Sequence, residues 1–235
     1  HNKGIEASVG PKKRYSTDAN LAGLSHEAED LESLETPCTI VEPIMCVWPH
    51  KAPEETRTVT MRFEKGRCTE LDGEHLEPLA LMLRANELAG SYGVGLKNAL
   101  ENRVIGTKSR GVYEAPGLEL LGTGLRAVYQ ATMDRRSTGL FHSMSRLVAE
   151  QIYDGRLFDP GARASMAGIE VLAEYATGTV ELGLYRGHLY FQALRDCPHS
   201  LYNEADSSME ASDGLNPSSS QGYVEVQAVE AISLA

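Results

Sequence analysis

The chain has 235 residues, of which 42% are hydrophobic and 23% are charged, and its formal net charge is −11. This composition is ordinary for a globular protein and suffices for one large domain or two small ones. The negative charge disfavours nucleic acid and anionic membranes as partners, because both reward cationic surfaces. No apolar run approaches the roughly 20 residues that span a bilayer, and the first residues lack the apolar core of a signal peptide.

Cysteine and histidine usage also excludes some classes of site. The cysteines at positions 38, 46, 68 and 197 show no CxxC spacing and are too few for a disulfide scaffold of this size. We therefore expect reduced thiols and a cytoplasmic protein. No pair of histidines has metal-ligand spacing, so no metal site is predicted.

In chain order, residues 1–35 are polar, have no strong period and start without an initiator Met, so they look more like a piece of something than a natural start. Alternation of Val59, Met61 and Phe63 before Lys65-Gly66 then predicts a β-hairpin. Helical spacing follows, in four stripes. These are Leu76 to Leu88, Leu121 to Met133, Leu140 to Ile152, and Met166 to Ala176.

After the helical block, apolar residues again occur at every second position, as in a β-strand. Val180, Leu182 and Leu184 alternate before a turn at Arg186-Gly187, which predicts a second hairpin. Residues 203–222 are rich in Ser, Asp and Gly and predict a flexible loop, and alternation in 223–235 predicts a terminal strand. Hairpins that flank packed helices, without βαβ alternation, indicate an α+β fold with an antiparallel sheet.

The stretch "ENRVIGTKSRGVYEAPG", from Glu101 to Gly117, fits neither a plain amphipathic helix nor a simple surface loop. Its charged residues could form a salt-bridged turn, which needs no particular arrangement because exposed pairs contribute only about 0–1 kcal/mol each. Alternatively, Glu101 and Tyr113 could point into a cleft while glycines let the backbone approach a ligand. Composition alone leaves these two interpretations open.

This stretch closely resembles the most distinctive motif of the argininosuccinate synthase family. Five further segments resemble the family in the same order and with similar spacing: "YSTDANLAGLSHEAEDLE", "TVTMRFEKG", "ANELAGSYGVG", "TGTVELGLYRG" and "SLYNE". The resemblance implies that residues 1–35 are a segment leading in from the family's nucleotide-binding domain and that residues 36–202 have the family's synthetase-domain fold. It also implies a ligase of arginine biosynthesis that joins citrulline to aspartate with ATP and Mg, through a citrulline-adenylate, and releases AMP and pyrophosphate.

The resemblance carries four citrulline-binding residues onto this chain, namely Ser16, Ser25, Glu101 and Tyr113. A carboxylate suits the α-ammonium group of citrulline, and hydroxyls suit its carboxylate and its neutral ureido group. The implied role of Glu101 is binding, so we assign no catalytic residue. The basic residues between Glu101 and Tyr113 should pair with acids elsewhere, while Gly106 and Gly111 should ease the reversal of the chain.

Two family features are not found in these residues. Nothing resembles the nucleotide-binding domain with its SGGxDS/T loop, so ATP should be bound mainly outside this sequence, and this chain alone should be inactive. The helical arm that wraps a neighbouring subunit in the family is expected to be missing, although a homotetramer is still expected. The alternatives are a non-catalytic interaction module and a ligase for a different ureido or amide acceptor.

Overall fold

Two antiparallel sheets form within the described residues of this computed structural model, which are 14–207 and 216–234. The strands are β1 (Ser16–Asn20), β2 (Gly23–Glu27), β3 (Arg57–Glu64), β4 (Arg67–Leu71), β5 (Glu74–His75), β6 (Leu96–Asn102), β7 (Lys108–Glu114), β8 (Gly178–Tyr185) and β9 (His188–Arg195). The first sheet has the strand order β1-β2-β7-β6, and the second has the order β5-β4-β3-β8-β9.

The first four helices follow the predicted apolar stripes, and they are α1 (Pro78–Ser91), α2 (Pro116–Thr132), α3 (Arg135–Tyr153) and α4 (Pro160–Ala173). A single turn α5 (Glu204–Ser207) and the helix α6 (Pro217–Leu234) come later in the chain. Proline opens α1, α2 and α4, where its missing N–H costs no hydrogen bond. The Asp134 carboxylate caps α3 by accepting from the backbone N–H groups of Arg136 and Ser137. The α+β prediction is confirmed.

The main core lies between the second sheet and helices α1 and α2. Val59, Met61 and Phe63 of β3 are buried beside Val180 and Leu182 of β8, as their alternation predicts. Both predicted hairpins are confirmed, since β3 pairs with β4 and β8 pairs with β9 in antiparallel register. The two residues of each turn have positive φ angles, as the tight turns of twisted hairpins require.

The predicted terminal strand is wrong, because residues 223–234 belong to helix α6. Alternation holds only through Val224 and Val226, after which Val229 and Ile232 follow at helical spacing among Ala, Glu and Gln. Asn216 caps this helix through a 3.0 Å bond from the N–H of Ser218 to its side-chain oxygen. Pro217 opens it, which is a helix-start signal that the strand interpretation overlooked.

The ends of the chain differ in two further ways from expectation. Residues 16–27, predicted to be part of a lead-in segment, form the hairpin β1–β2 and pair with β7 in the first sheet. Of the predicted loop 203–222, residues 208–215 lie outside the described residues, and the rest includes α5 and the start of α6. The chain divides into two compact units, His1–His199 and Ser200–Ala235.

Candidate functional site

The stretch that starts at Glu101 folds as a hairpin of β6 and β7. Its turn is closed by hydrogen bonds from the N–H of Arg103 to the carbonyl of Thr107, at 2.8 Å, and from the N–H of Gly106 to the carbonyl of Arg103, at 2.9 Å. Gly106 has a φ of 83°, in the left-handed region that glycine adopts at little cost. The chain therefore reverses here, and Glu101 lies opposite Ser109 across the hairpin.

All four predicted site residues lie on one face of the first sheet. Ser25 of β2 lies directly opposite Tyr113 of β7, and Glu101 precedes the turn on the neighbouring strand. Ser16 lies opposite Glu27, which is two positions from Ser25 and so shares its face. The register thus places residues from four strands, which form two hairpins far apart in the sequence, on one surface.

Glu101 and Tyr113 are in direct contact. The Tyr113 hydroxyl donates a 2.6 Å hydrogen bond to Oε1 of Glu101, and the Ser109 hydroxyl donates to the same oxygen at 3.1 Å. Burial, followed by the hydrogen bond to Glu101, raises the pKa of the Tyr113 phenol above its ordinary value. Tyr113 therefore stays protonated as a donor, and residues twelve apart in sequence form one hydrogen-bonded unit.

Gly111 makes room for this contact. A Cβ atom at Gly111 would lie 2.7 Å from Cε2 and 2.8 Å from the hydroxyl oxygen of Tyr113, so the tyrosine ring lies across the glycine. Gly111 lies inside strand β7 and its φ is not in the left-handed region. The predicted role of Gly111 in the chain reversal is therefore wrong. Of the two glycines, only Gly106 lies in the turn.

A cavity of about 850 Å³ opens at the turn end of the same hairpin. Ser16, Glu27, Arg103, Lys108 and Ser109 contribute to its lining, whereas the other three predicted site residues do not. Ser109 connects the two features, because it lines the cavity and donates to Glu101. Arg103 forms an ion pair with Glu27 at 3.4 Å. In the described residues Lys108 forms no ion pair.

Arg110 corrects the prediction that the basic residues of the stretch pair with acids. Its guanidinium donates to the backbone carbonyls of Ser33 and Thr36, at 2.7 and 2.8 Å, and to the side-chain oxygen of Asn98 at 3.0 Å. These bonds tie the segment after β2 to the site hairpin. Arg110 thus holds the backbone that surrounds the site.

The opposite face of the first sheet carries a buried polar network. His26 and Glu114, both fully buried, approach to 2.7 Å between Nε2 and Oε1, and Thr17 lies 2.9 Å from Nδ1 of His26. Because a carboxylate only accepts, Nε2 of His26 carries the hydrogen. The Glu114 carboxylate also accepts from the backbone N–H groups of Ile44, Met45 and Cys46, at 2.6 to 3.1 Å.

This network holds residues 44–46 against the face of the first sheet that is opposite the site. Burial, followed by the nearby Glu114 carboxylate, raises the pKa of the Cys46 thiol to about 12. Cys46 is therefore a protonated, unreactive core residue. The four cysteines, which all lie within the described residues, form no disulfide in the structure.

The described residues, 14–207 and 216–234, contain no group of three His, Cys, Asp or Glu side chains that could hold a metal ion. Within them, no helix has the length and apolar character needed to cross a bilayer.

Sequence reasoning missed Ser109, Gly111 and Glu27 as parts of this surface. The alternation of a β-strand could have identified the first two, because it places residues 109, 111 and 113 on one face of β7. Glu27 follows Ser25 by two residues in the same way. Because residues 1–35 are predicted without a strand, the sequence gives no period that would point to Glu27.

The chain is similar to known proteins over nearly its whole length. The family model described as "Arginosuccinate synthase C-terminal domain" matches residues 15–233. Proteins named argininosuccinate synthase from Clostridium kluyveri and Rhodopirellula baltica are 35% and 38% identical to the chain over 226 residues, which are 96% of the chain. A namesake from Pelotomaculum thermopropionicum is 36% identical over 95% of the chain. The chain spans 56% of the length of each of these relatives.

Proposed function

The chain belongs to the argininosuccinate synthase family, and from this premise we propose that it supplies the citrulline-binding and assembly part of an ATP-dependent carbon–nitrogen ligase of arginine biosynthesis. The observation that carries the proposal is the placement of Ser16, Ser25, Glu101 and Tyr113 on one face of the first sheet. Four polar residues from separate segments that share a surface form a ligand site more readily than scattered surface residues do.

The charge and hydrogen-bonding groups of this face suit citrulline. Oε1 of Glu101 accepts from Ser109 and Tyr113, while Oε2 accepts no hydrogen bond from the described part of the chain. Oε2 can therefore accept from the α-ammonium group of citrulline, in a charge-assisted bond. The hydroxyls of Ser16 and Ser25 can serve the carboxylate and the ureido group.

In the proposed reaction, the ureido oxygen of citrulline attacks the α-phosphorus of ATP, and pyrophosphate leaves. The amine of aspartate then attacks the ureido carbon, and AMP leaves with the oxygen, which gives argininosuccinate. The contribution of this chain is to bind and orient citrulline, since alignment of the reacting atoms removes much of the entropic barrier. ATP, its Mg and aspartate are held mainly by a nucleotide-binding half, in the same gene product or in a second polypeptide.

The experiment that tests this function is an assay of AMP release by the complete gene product that carries this chain, together with its nucleotide-binding half. We expect AMP release that requires both citrulline and aspartate. The purified 235-residue chain is the control and should release none. AMP release that is absent, or that proceeds without citrulline, would instead support the non-catalytic module or a ligase for a different acceptor.

A homotetramer is the proposed assembly. Leu140, Leu147 and Ile152 on α3 are each more than a third exposed, and Val229 and Ile232 on α6 are about two thirds exposed or more. Apolar side chains that a single copy leaves in water favour association. We expect light scattering of the complete gene product at micromolar concentration to give a tetramer mass. A monomer mass there would contradict this assembly. The cytoplasm is the proposed compartment.

A further inference from the structure

We infer that Ser109 and Gly111 are positioning residues that hold the Glu101 carboxylate ready for a cationic group of the ligand. This inference rests on the proposed function, because it concerns the carboxylate that is proposed to bind the citrulline ammonium. It assigns a role to two residues that do not themselves contact the ligand in the proposal. Both act through the contact between Glu101 and Tyr113.

Ser109 acts on the orientation of the carboxylate. It lies directly opposite Glu101 across the hairpin, and its hydroxyl is 3.1 Å from Oε1. With the 2.6 Å bond from Tyr113, that oxygen accepts two hydrogen bonds, which is the usual capacity of one carboxylate oxygen. The plane of the carboxylate is thereby restrained, and Oε2 is the oxygen left for the ligand. Without the Ser109 hydroxyl, one of these two restraints is lost.

Gly111 leaves the space that the Tyr113 side chain occupies. Tyr113 must lie across position 111 for its hydroxyl to reach Glu101, and a Cβ there would meet the ring and its oxygen at 2.7 to 2.8 Å. Such distances are too short for carbon contacts, so an alanine displaces the ring. The φ of Gly111 is outside the left-handed region, so alanine is compatible with the backbone. The predicted effect is therefore specific to Tyr113.

The second sheet provides a matched control for this substitution. A Cβ at Gly183 of β8 would meet the ring of Tyr190, its cross-strand neighbour on β9, even more closely than in the site. The φ of Gly183 is also outside the left-handed region. Gly183→Ala thus imposes the same kind of glycine–tyrosine clash in the other sheet. It should lower stability and leave citrulline binding unchanged.

The test measures KM for citrulline and for ATP in the complete gene product with its nucleotide-binding half. We expect Ser109→Ala to raise the citrulline KM about three- to tenfold, because it removes the longer of the two bonds that restrain the carboxylate, with the ATP KM unchanged. Ser109→Thr retains the hydroxyl and should restore most of the affinity. Gly111→Ala should raise the citrulline KM by roughly tenfold or more, because the charged acceptor loses the tyrosine donor.

The outcomes separate this inference from the proposed function. If Ser109→Ala leaves the citrulline KM within twofold while Glu101→Gln raises it, the inference is wrong and the proposed site stands. If Ser109→Thr is as impaired as Ser109→Ala, or if Gly183→Ala raises the citrulline KM as much as Gly111→Ala does, the positioning roles are also refuted. Should Gly111→Ala fail to fold, as judged by circular dichroism, the two Ser109 variants decide the question. If Glu101→Gln has no effect, the proposed site itself is wrong.

Discussion

Replacing Glu101 by Gln should lower the affinity for citrulline about ten- to a hundredfold. The change keeps the shape of the side chain and leaves an amide oxygen that can still accept from Tyr113, but it removes the negative charge. The substrate ammonium then loses a charge-assisted bond, which is worth roughly 1.5–3 kcal/mol. The ATP KM should barely change, because no nucleotide contact is proposed for this side chain. Steady-state kinetics in both substrates measure the two effects.

Glu181 offers the matched control for that substitution. It lies in strand β8 and pairs with Arg195 of β9 at 2.6 Å, so Glu181→Gln removes the same charge from a strand of the other sheet. Its citrulline KM should equal that of the parent protein. If Glu101→Gln left the citrulline KM intact, or weakened citrulline and ATP equally, the binding role of Glu101 would be refuted.

Much of the fold could be predicted because local patterns and tertiary packing agree in this chain. The β3–β4 and β8–β9 hairpins have a strict alternation and a turn with positive φ angles, and both were located correctly. The four long helices of the middle block matched apolar stripes of period 3.6. In these segments the face that is apolar in the sequence is also the face that packs.

The hairpin β1–β2 could not be predicted from its period, because its inward face mixes apolar and polar residues. The buried positions of β2 are Leu24 and His26, and Nε2 of His26 finds its hydrogen-bond partner in Glu114, which lies 88 residues later. Local propensity cannot report a partner so distant in the chain. In α6, a short run of alternating residues outweighed the Asn216-Pro217 start signal.

Local sequence patterns likewise predicted only part of the site. The contact between Glu101 and Tyr113 could be anticipated, since a reversal at Gly106 brings residues on both sides of the turn together. Gly111 was misinterpreted because a glycine in a loop-like sequence suggests a turn, whereas here it accommodates a neighbouring ring. That role depends on the rotamer of Tyr113, which the sequence pattern does not encode. The positioning role inferred for Ser109 likewise required the cross-strand register.

The largest loss of stability should come from Glu114→Gln. The Glu114 carboxylate is fully buried and accepts from His26 and from three consecutive backbone N–H groups, those of Ile44, Met45 and Cys46. A glutamine at this position has one accepting oxygen and an NH₂ group that faces other donors. Breaking a buried charged network costs about 3–5 kcal/mol, which for a domain of this size corresponds to a drop in Tm of roughly 6–20 °C. Thermal unfolding followed by circular dichroism measures this drop.

Glu119→Gln is the control that separates burial from charge. Glu119 pairs with Lys97 at 2.6 Å, but their side chains are 34% and 62% exposed, so this pair contributes only about 0–1 kcal/mol. An equal drop in Tm for both variants would refute the role given to the buried network.

The expected difference bears on the site, because His26 directly follows Ser25 and Glu114 directly follows Tyr113. The network therefore holds the strand pair on which Ser25 and Tyr113 lie opposite each other. At a temperature well below its lowered Tm, the Glu114→Gln variant is folded but should bind citrulline more weakly than the Glu119→Gln variant does.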